Sequence, residues 1–276
     1  MLNYEIIATD LDGTLLNTRD TVSPENLAAI HEMAQMGAFV VPSSGRTLGE
    51  IPACVRDIPD VRYIIHSDGA VIYDKKAARP LDSRCMTGDA LCRVLDIFYS
   101  YETLLTVRAG GVLYVSADEQ REDIYDSYRM IKAYQTAMLT LAVPQKNFKE
   151  FCYSLPEIEM ICTFFRYDDE LDRCRKQFLA DGAFGVAAST ATNLEVYDVN
   201  AGKGNALVRL ASLLGTPKEK TVAVGDSEND IDNLAHAGLA LAMKNATDDV
   251  KSVAHEIICH NDEHAMKYIL ENILER

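Results

Sequence analysis

Tyr4-Glu5-Ile6-Ile7-Ala8-Thr9-Asp10-Leu11-Asp12-Gly13-Thr14 decides how this chain is read. The apolar run up to Thr9 predicts a buried strand that delivers two carboxylates two residues apart. Strand alternation points both side chains to one side. Gly13 permits a tight turn where a side chain would block a bound ion or phosphate. Two carboxylates at a strand end make a poor core but a good site for a hard divalent cation. A carboxylate there can also attack phosphorus and carry an aspartyl-phosphate. Alone, an Asp-x-Asp equally describes two solvated loop acids, so the rest of the chain has to supply the other parts.

Composition narrows the field. A chain of 276 residues predicts roughly two domains at ~150 residues each. With 48% hydrophobic and 25% charged residues it can bury a substantial core. A formal net charge of -15 argues against nucleic-acid or anionic-membrane partners. The same field would repel a phosphorylated ligand, so a metal and local cations must offset it at any anion site. Cys54, Cys85, Cys92, Cys152, Cys162, Cys174 and Cys259 form no Cys-x-x-Cys pair and read as buried, reduced thiols. A strand at the very start leaves no room for a signal peptide. No apolar run approaches the ~20 residues of a membrane span. A cytoplasmic protein is expected.

Along the chain, Ser23-Pro24-Glu25 opens a helix that runs to Gly37, and Ala38 to Pro42 reads as a buried strand. That strand ends at Ser43-Ser44-Gly45-Arg46-Thr47, which offers backbone N–H groups and hydroxyls to an anion. A short helix near Ile51 to Val55, a strand at Tyr63 to Ile65 and the turn His66-Ser67-Asp68-Gly69-Ala70 follow. Repeated strand–helix–strand units imply a parallel sheet with ligands beyond the carboxyl ends of its strands. From about Leu81 the texture changes to helices mixed with a hairpin around Ala109-Gly110-Gly111. One long helix is predicted near Glu119 to Tyr134, with later strands at Glu159 to Arg166, Phe184 to Ala188 and Leu194 to Val199. The parallel pattern resumes with Lys203-Gly204 opening a helix and the strand Thr221 to Val224 leading into Gly225-Asp226-Ser227-Glu228-Asn229-Asp230. The expected division is a core of residues 1–81 and 190–276, interrupted by an α+β unit of residues 82–189.

Four stretches now stand in order, each at a strand end or helix start: Asp10 to Thr14, Ser44-Gly45-Arg46, Lys203-Gly204 and Gly225 to Asp230. The set, spanning essentially the whole chain, resembles the haloacid dehalogenase superfamily, specifically its Cof-type branch of sugar-phosphate phosphatases. That resemblance implies an α/β fold, a Rossmann-like parallel-sheet core with an inserted α+β cap that closes over the substrate. It implies a Mg²⁺-dependent phosphohydrolase acting on a small phosphorylated metabolite, most simply a sugar phosphate. In this reading Asp10 is nucleophile and metal ligand. Asp12 is general acid and then base, and lends its backbone carbonyl to the metal. Asp226 is a further metal ligand, and Asp230 holds a metal-bound water. Leu11, Ser44, Gly45, Lys203 and Asn229 contact phosphate, Lys203 adding a positive charge beside the nucleophile. Arg46 buttresses its loop.

Other residues carry less. Asp68 stands where the family usually has asparagine, and adds either another carboxylate near the site or a backbone hydrogen bond. Glu195 and Asp198 are expected to decorate a strand surface. His260 and His264 have the i, i+4 spacing of a metal pair, yet no further soft ligand is near, and surface histidines are expected. Tyr125, Tyr128 and Tyr134 read as core or surface before substrate contacts. Two alternatives stay open: a phosphomutase using the same aspartyl-phosphate, or a non-catalytic phospho-accepting module resembling response-regulator receivers. The second carboxylate Asp12 and the inserted cap weigh against the module. The sequence leaves the metabolite and the oligomeric state open.

Overall fold

The computed structural model describes residues 3–274. β1 (Ile6–Thr9) is wholly buried, as a strand paired on both sides in a covered parallel sheet must be. At Asp10 the chain leaves the sheet, and Leu15 and Leu16 donate their N–H groups back to Asp10 O and Leu11 O (3.2 and 2.8 Å), closing a tight turn. α1 (Pro24–Gln35) starts where Ser23 Oγ accepts from Asn26 N at 3.1 Å, with proline in the first turn. β2 (Phe39–Pro42) follows, then the single turn α2 (Ala53–Arg56). β3 (Tyr63–His66), β4 (Val71–Asp74) and β5 (Arg79–Ser83) form an antiparallel meander. The sequence predicts β3 but not its two partners, because β5 is mostly exposed and shows no apolar alternation.

A second set of elements comes next: β6 (Met86–Thr87), α3 (Gly88–Phe98), β7 (Thr103–Ala109) and β8 (Val112–Ser116). α4 (Glu122–Ser127) and α5 (Lys132–Thr140) replace the one long helix predicted near 119–134. The break falls at Arg129, whose φ of +55° is incompatible with a continuing helix. After these come β9 (Val143–Gln145), α6 (Phe148–Ser154), β10 (Glu157–Ile158), β11 (Met160–Phe165), α7 (Asp168–Asp181), β12 (Phe184–Ala187) and β13 (Asn193–Asp198). The main sheet of this unit has the order β12-β13-β11-β7-β8-β9. One face buries Leu105, Val107, Ile161 and Val196 against Leu95, Phe98, Cys174 and Phe178. The other packs Leu104, Cys162 and Phe164 against Tyr125, Tyr128, Met130 and Met138. Tyr125 and Tyr128 are therefore core residues.

The chain ends with α8 (Lys203–Leu214), β14 (Thr221–Gly225), α9 (Ile231–His236), β15 (Leu239–Ala242), α10 (Asp248–Val253), β16 (Glu256–Ile257) and α11 (Ala265–Ile269). These return to the first unit, whose parallel sheet runs β16-β15-β14-β1-β2. Register matters here. Thr9 lies opposite Pro42 on β2 and Val224 on β14, so Asp10 and Ser43 leave the sheet beside Gly225, the last residue of β14, at its carboxyl edge. No helix among the described residues is long and apolar enough to cross a membrane.

Two compact units result. The first comprises the chain up to Gly45, Ile51–Ser83 and the chain from Gly202 onward; the second comprises Arg46–Glu50 and Arg84–Ala201. The boundary read from sequence at 189 moves to 201, because β13 is hydrogen-bonded between β12 and β11 and cannot belong to the first sheet. Arg46–Glu50 joins the second unit through a buried ion pair, Arg108 Nε to Glu50 Oε2 at 3.1 Å. Arg46 bonds Glu50 O at 3.3 Å within this segment, consistent with a loop buttress. All seven thiols are unpaired, but Cys54 and Cys92 are exposed and Cys85 and Cys259 half-buried, contrary to the reading of all seven as buried.

One residue of the first unit conflicts with its surroundings. Asn233 on α9 is fully buried, and neither its amide nitrogen nor its oxygen has a partner among the described residues. A buried polar group without a partner costs about 1–3 kcal/mol. Asn233→Leu is accordingly expected to raise the unfolding free energy by about 1–2 kcal/mol, read from urea melts at constant m-value.

Candidate active site

The carboxyl edge of the parallel sheet gathers the charged residues. Asp10, Lys203 and Asp230 are buried, and Lys203 Nζ donates to Asp10 Oδ1 at 2.7 Å and to Asp230 Oδ1 at 2.8 Å. Lys203 opens α8, while Asp10 and Asp230 follow β1 and β14, so three separate stretches of sequence meet at one ammonium. The other oxygen of Asp230 accepts from the backbone N–H groups of Asp226 and Ser227 at 3.0 and 3.2 Å. Asp230 thus shapes its own loop and anchors the lysine as well. Asp226 is half-buried and accepts from Thr14 Oγ1 at 3.1 Å.

One oxygen from each of Asp10, Asp226 and Asp230 lies within 4.8 Å of the other two. Electrostatics show a shortage of positive charge. Burial, and then the Asp230 carboxylate, hold Asp10 well above the usual carboxylate range despite Lys203. Burial and Asp230 likewise push Asp226 up to about 7. Burial alone would lower the Lys203 ammonium, but Asp10, Asp230 and Asp68 together hold it well above its ordinary value. Three carboxylates beside one ammonium, all hard oxygen donors, fit a divalent cation such as Mg²⁺. Gly13 completes that fit. A Cβ there would come within 2.5 Å of Asp226 Oδ2, and its φ of +76° suits glycine. Gly13→Ala is expected to displace Asp226 and to weaken cation binding about 10-fold or more, measured by calorimetric Mg²⁺ titration.

Asp12 differs from Asp10. The chain has left the sheet before it, so strand alternation no longer applies and Asp12 is exposed where Asp10 is buried. It still lies close enough to raise both Asp10 and Asp226. Ser44 is buried, with its N–H donated to Ile65 O at 3.0 Å and its carbonyl accepting from Asp68 N at 3.1 Å. The amide of Ser44 is therefore committed to the fold, and its hydroxyl is the group to consider for an anion. Gly45 packs against the Asp68 carboxylate, to which a Cβ would come within 3.1 Å. Asn229 accepts from Ser227 Oγ at 2.8 Å and donates to Asp68 Oδ1 at 3.5 Å. Asp68 is buried and also accepts from Gly202 N, at 2.8 Å, through its carbonyl. It joins the loops of Ser44, Lys203 and Asn229, and its charge acts on Lys203, as the reading of another carboxylate near the site has it.

Elsewhere the structure sorts the remaining residues. Glu195 is buried in the second unit, where Ser189 Oγ and Asn193 Nδ2 donate to it at 2.7 and 3.2 Å, so it is no surface decoration. Tyr134 bonds Glu195 at 3.4 Å. Asp198 accepts from Asn200 N in a turn. His260 accepts from Asp262 N, and His264 sits 2.9 Å from Ser23 Oγ. Neither histidine belongs to a metal-capable cluster among the described residues.

Comparison with known proteins places nearly the whole chain in one family. The profile of the haloacid dehalogenase-like hydrolases matches residues 7–270. "Phosphatase YwpJ" of Bacillus subtilis is 30% identical, the match covering 98% of this chain and all of that protein. The "5-amino-6-(5-phospho-D-ribitylamino)uracil phosphatase YwtE" of the same organism is 28% identical, with 97% of each chain covered. The solved structure of a haloacid dehalogenase-like hydrolase from B. subtilis superposes with a TM-score of 0.83 at 27% identity, covering 98% of this chain and 100% of that one.

Proposed function

From the chain's membership of the haloacid dehalogenase-like hydrolases, as a phosphatase, we propose that it hydrolyses a small phosphorylated metabolite through an aspartyl-phosphate on Asp10, with Mg²⁺ as cofactor. The observation that carries this reading is the buried bridge of Lys203 between Asp10 and Asp230, with Asp226 alongside. Lys203 orients the Asp10 carboxylate, but burial and Asp230 still hold it above the usual carboxylate range, so the positive charge of a bound cation would be needed to keep it ionised as a nucleophile.

In the first half-reaction an oxygen of Asp10 bonds to phosphorus as the bond to the leaving oxygen breaks. Asp12, at the exposed mouth of the same turn, gives that oxygen its proton. In the second, Asp12 takes a proton from water, the water oxygen bonds to phosphorus, and the Asp10–phosphorus bond breaks to return the free carboxylate. Lys203 offsets charge on the phosphoryl oxygens throughout. The Leu11 and Gly45 amides, the Ser44 hydroxyl and the Asn229 amide are the phosphate contacts in this account. The Asp10 and Asp226 side chains and the Asp12 carbonyl would hold Mg²⁺, with Asp230 reaching it through water. Bound there, the cation supplies the positive charge that the carboxylates lack and polarises the phosphoryl group.

A sugar or polyol phosphate is the substrate class we favour, because the relative YwtE is named for a phosphoribityl compound. The test is free-phosphate release from a panel of sugar and polyol phosphates and other monoesters, with Mg²⁺ and with EDTA. Magnesium-dependent release concentrated in one class supports the reading. Transfer to a second hydroxyl without free phosphate would instead indicate a phosphomutase.

A further inference from the structure

Lys203 is held at both ends by one short stretch of chain. Its Nζ bonds Asp230, the residue before α9, and the amide of the next residue, Gly204, donates to Asp232 Oδ2 at 2.9 Å. α8 has no capping side chain of its own, since its N-cap position is Gly202. Asp232 supplies that cap from α9, accepting one of the orphan donors and placing a negative charge at the helix start. The flanking glycines are shaped to this contact. A Cβ on Gly202 would lie 2.8 Å from Asp232 Oδ2, and one on Gly204 would run into the Asp232 carbonyl. His236 Nδ1, 2.8 Å from Asp232 O and 3.0 Å from Asp232 Oδ1, steadies the carboxylate on its other side.

We propose that Asp232 is a positioning residue for Lys203, fixing the first turn of α8 so that the ammonium falls between Asp10 and Asp230. It touches no reacting atom. The proposal rests on Lys203 serving the phosphatase site, and Gly204, next after the lysine, lets α8 lie directly on the α9 backbone at Asp232. A side chain there would push α8 off α9 and withdraw Nζ from both carboxylates. Asp232 is 39% exposed at its side chain, so truncation opens no core cavity and the variants should fold.

The test is a cycle in the full-length protein. Phosphate release and urea unfolding are measured for wild type, Asp232→Ala and Asp232→Asn, each alone and with Lys203→Arg. Asp232→Ala is expected to lower kcat ~10-fold with KM within ~2-fold. Asp232→Asn keeps an acceptor for Gly204 N and should return to within ~3-fold of wild type. With Lys203→Arg, where the head-group geometry is already lost, Asp232→Ala should cost less than ~2-fold more, and the shifts in urea midpoint should also fall short of additive. Full additivity in both measurements, or an Asp232→Ala enzyme as fast as wild type, would overturn the proposal. If the wild type released no phosphate, the phosphatase reading would fail on its own. The urea cycle would still decide whether Asp232 and Lys203 are coupled.

Discussion

Asp10→Asn is expected to lower turnover ~1,000-fold or more while leaving the metal-free protein at least as stable as wild type. Activity falls because an amide cannot form the acyl phosphate. Stability does not, because Asp10 is one of three acids, with Asp226 and Asp230, that share one ammonium. Burial and Asp230 hold its carboxyl well above the ordinary range, so ionising it works against the folded state at neutral pH. Lys203 keeps its bond to Asp230 in the variant, which leaves no buried charge stranded. The same sign governs Asp226, raised to about 7 from the ordinary carboxylate value of 3.8. Between those values the folded metal-free protein binds the extra proton, so its contribution to stability grows as pH falls through that window and is lost as pH rises past it. Thermal melts in EDTA beside a phosphate-release assay read both effects. A variant that turned over at near-normal rate would remove Asp10 from the chemistry.

Lys203→Met is expected to have the largest effect on stability. Lys203 is 1% exposed, and its loss leaves the buried Asp10 and Asp230 facing each other without a cation. Breaking a buried pair in this way costs about 3–5 kcal/mol. Turnover should fall ~100-fold or more as the charge offset at the phosphoryl oxygens disappears. The two effects respond differently to Mg²⁺. A divalent cation binding the folded state alone stabilises it by mass action, by about 2.7 kcal/mol at a hundred times its Kd. Urea melts of the variant should therefore recover with Mg²⁺ further than those of wild type, while activity stays low. Equal Mg²⁺ dependence in both proteins would mean that the lysine and the cation do not share the carboxylates.

The local parts of this site were legible in sequence because each is a short motif at the end of an apolar strand. Asp10, Ser44 and Asp226 follow β1, β2 and β14, and the parallel register with Thr9 opposite Pro42 and Val224 brings them together without further information. What stayed hidden depends on partners distant in sequence. Glu195 reads as a surface acid on a strand until Ser189 and Asn193 close over it. Asp232 is one helical acid among many until α8 is laid against α9. β13 reads as a strand that suits either unit, and only its pairing with β11 and β12 assigns it to the second. The break between α4 and α5 rests on a single left-handed residue, Arg129, of a type that rarely adopts that conformation and so gives no local warning.

The most direct test of the account is to look for phosphate on Asp10. The Asp12→Asn protein, unable to activate water, would be mixed with Mg²⁺ and an aryl phosphate whose leaving oxygen departs without a proton from Asp12, quenched in acid and reduced with borohydride. Peptide mass spectrometry should then find homoserine at position 10, in a Mg²⁺-dependent amount approaching one per chain. Phosphate release by the wild type with no modification at position 10 of the variant, or with modification at another residue, would contradict an aspartyl-phosphate on Asp10.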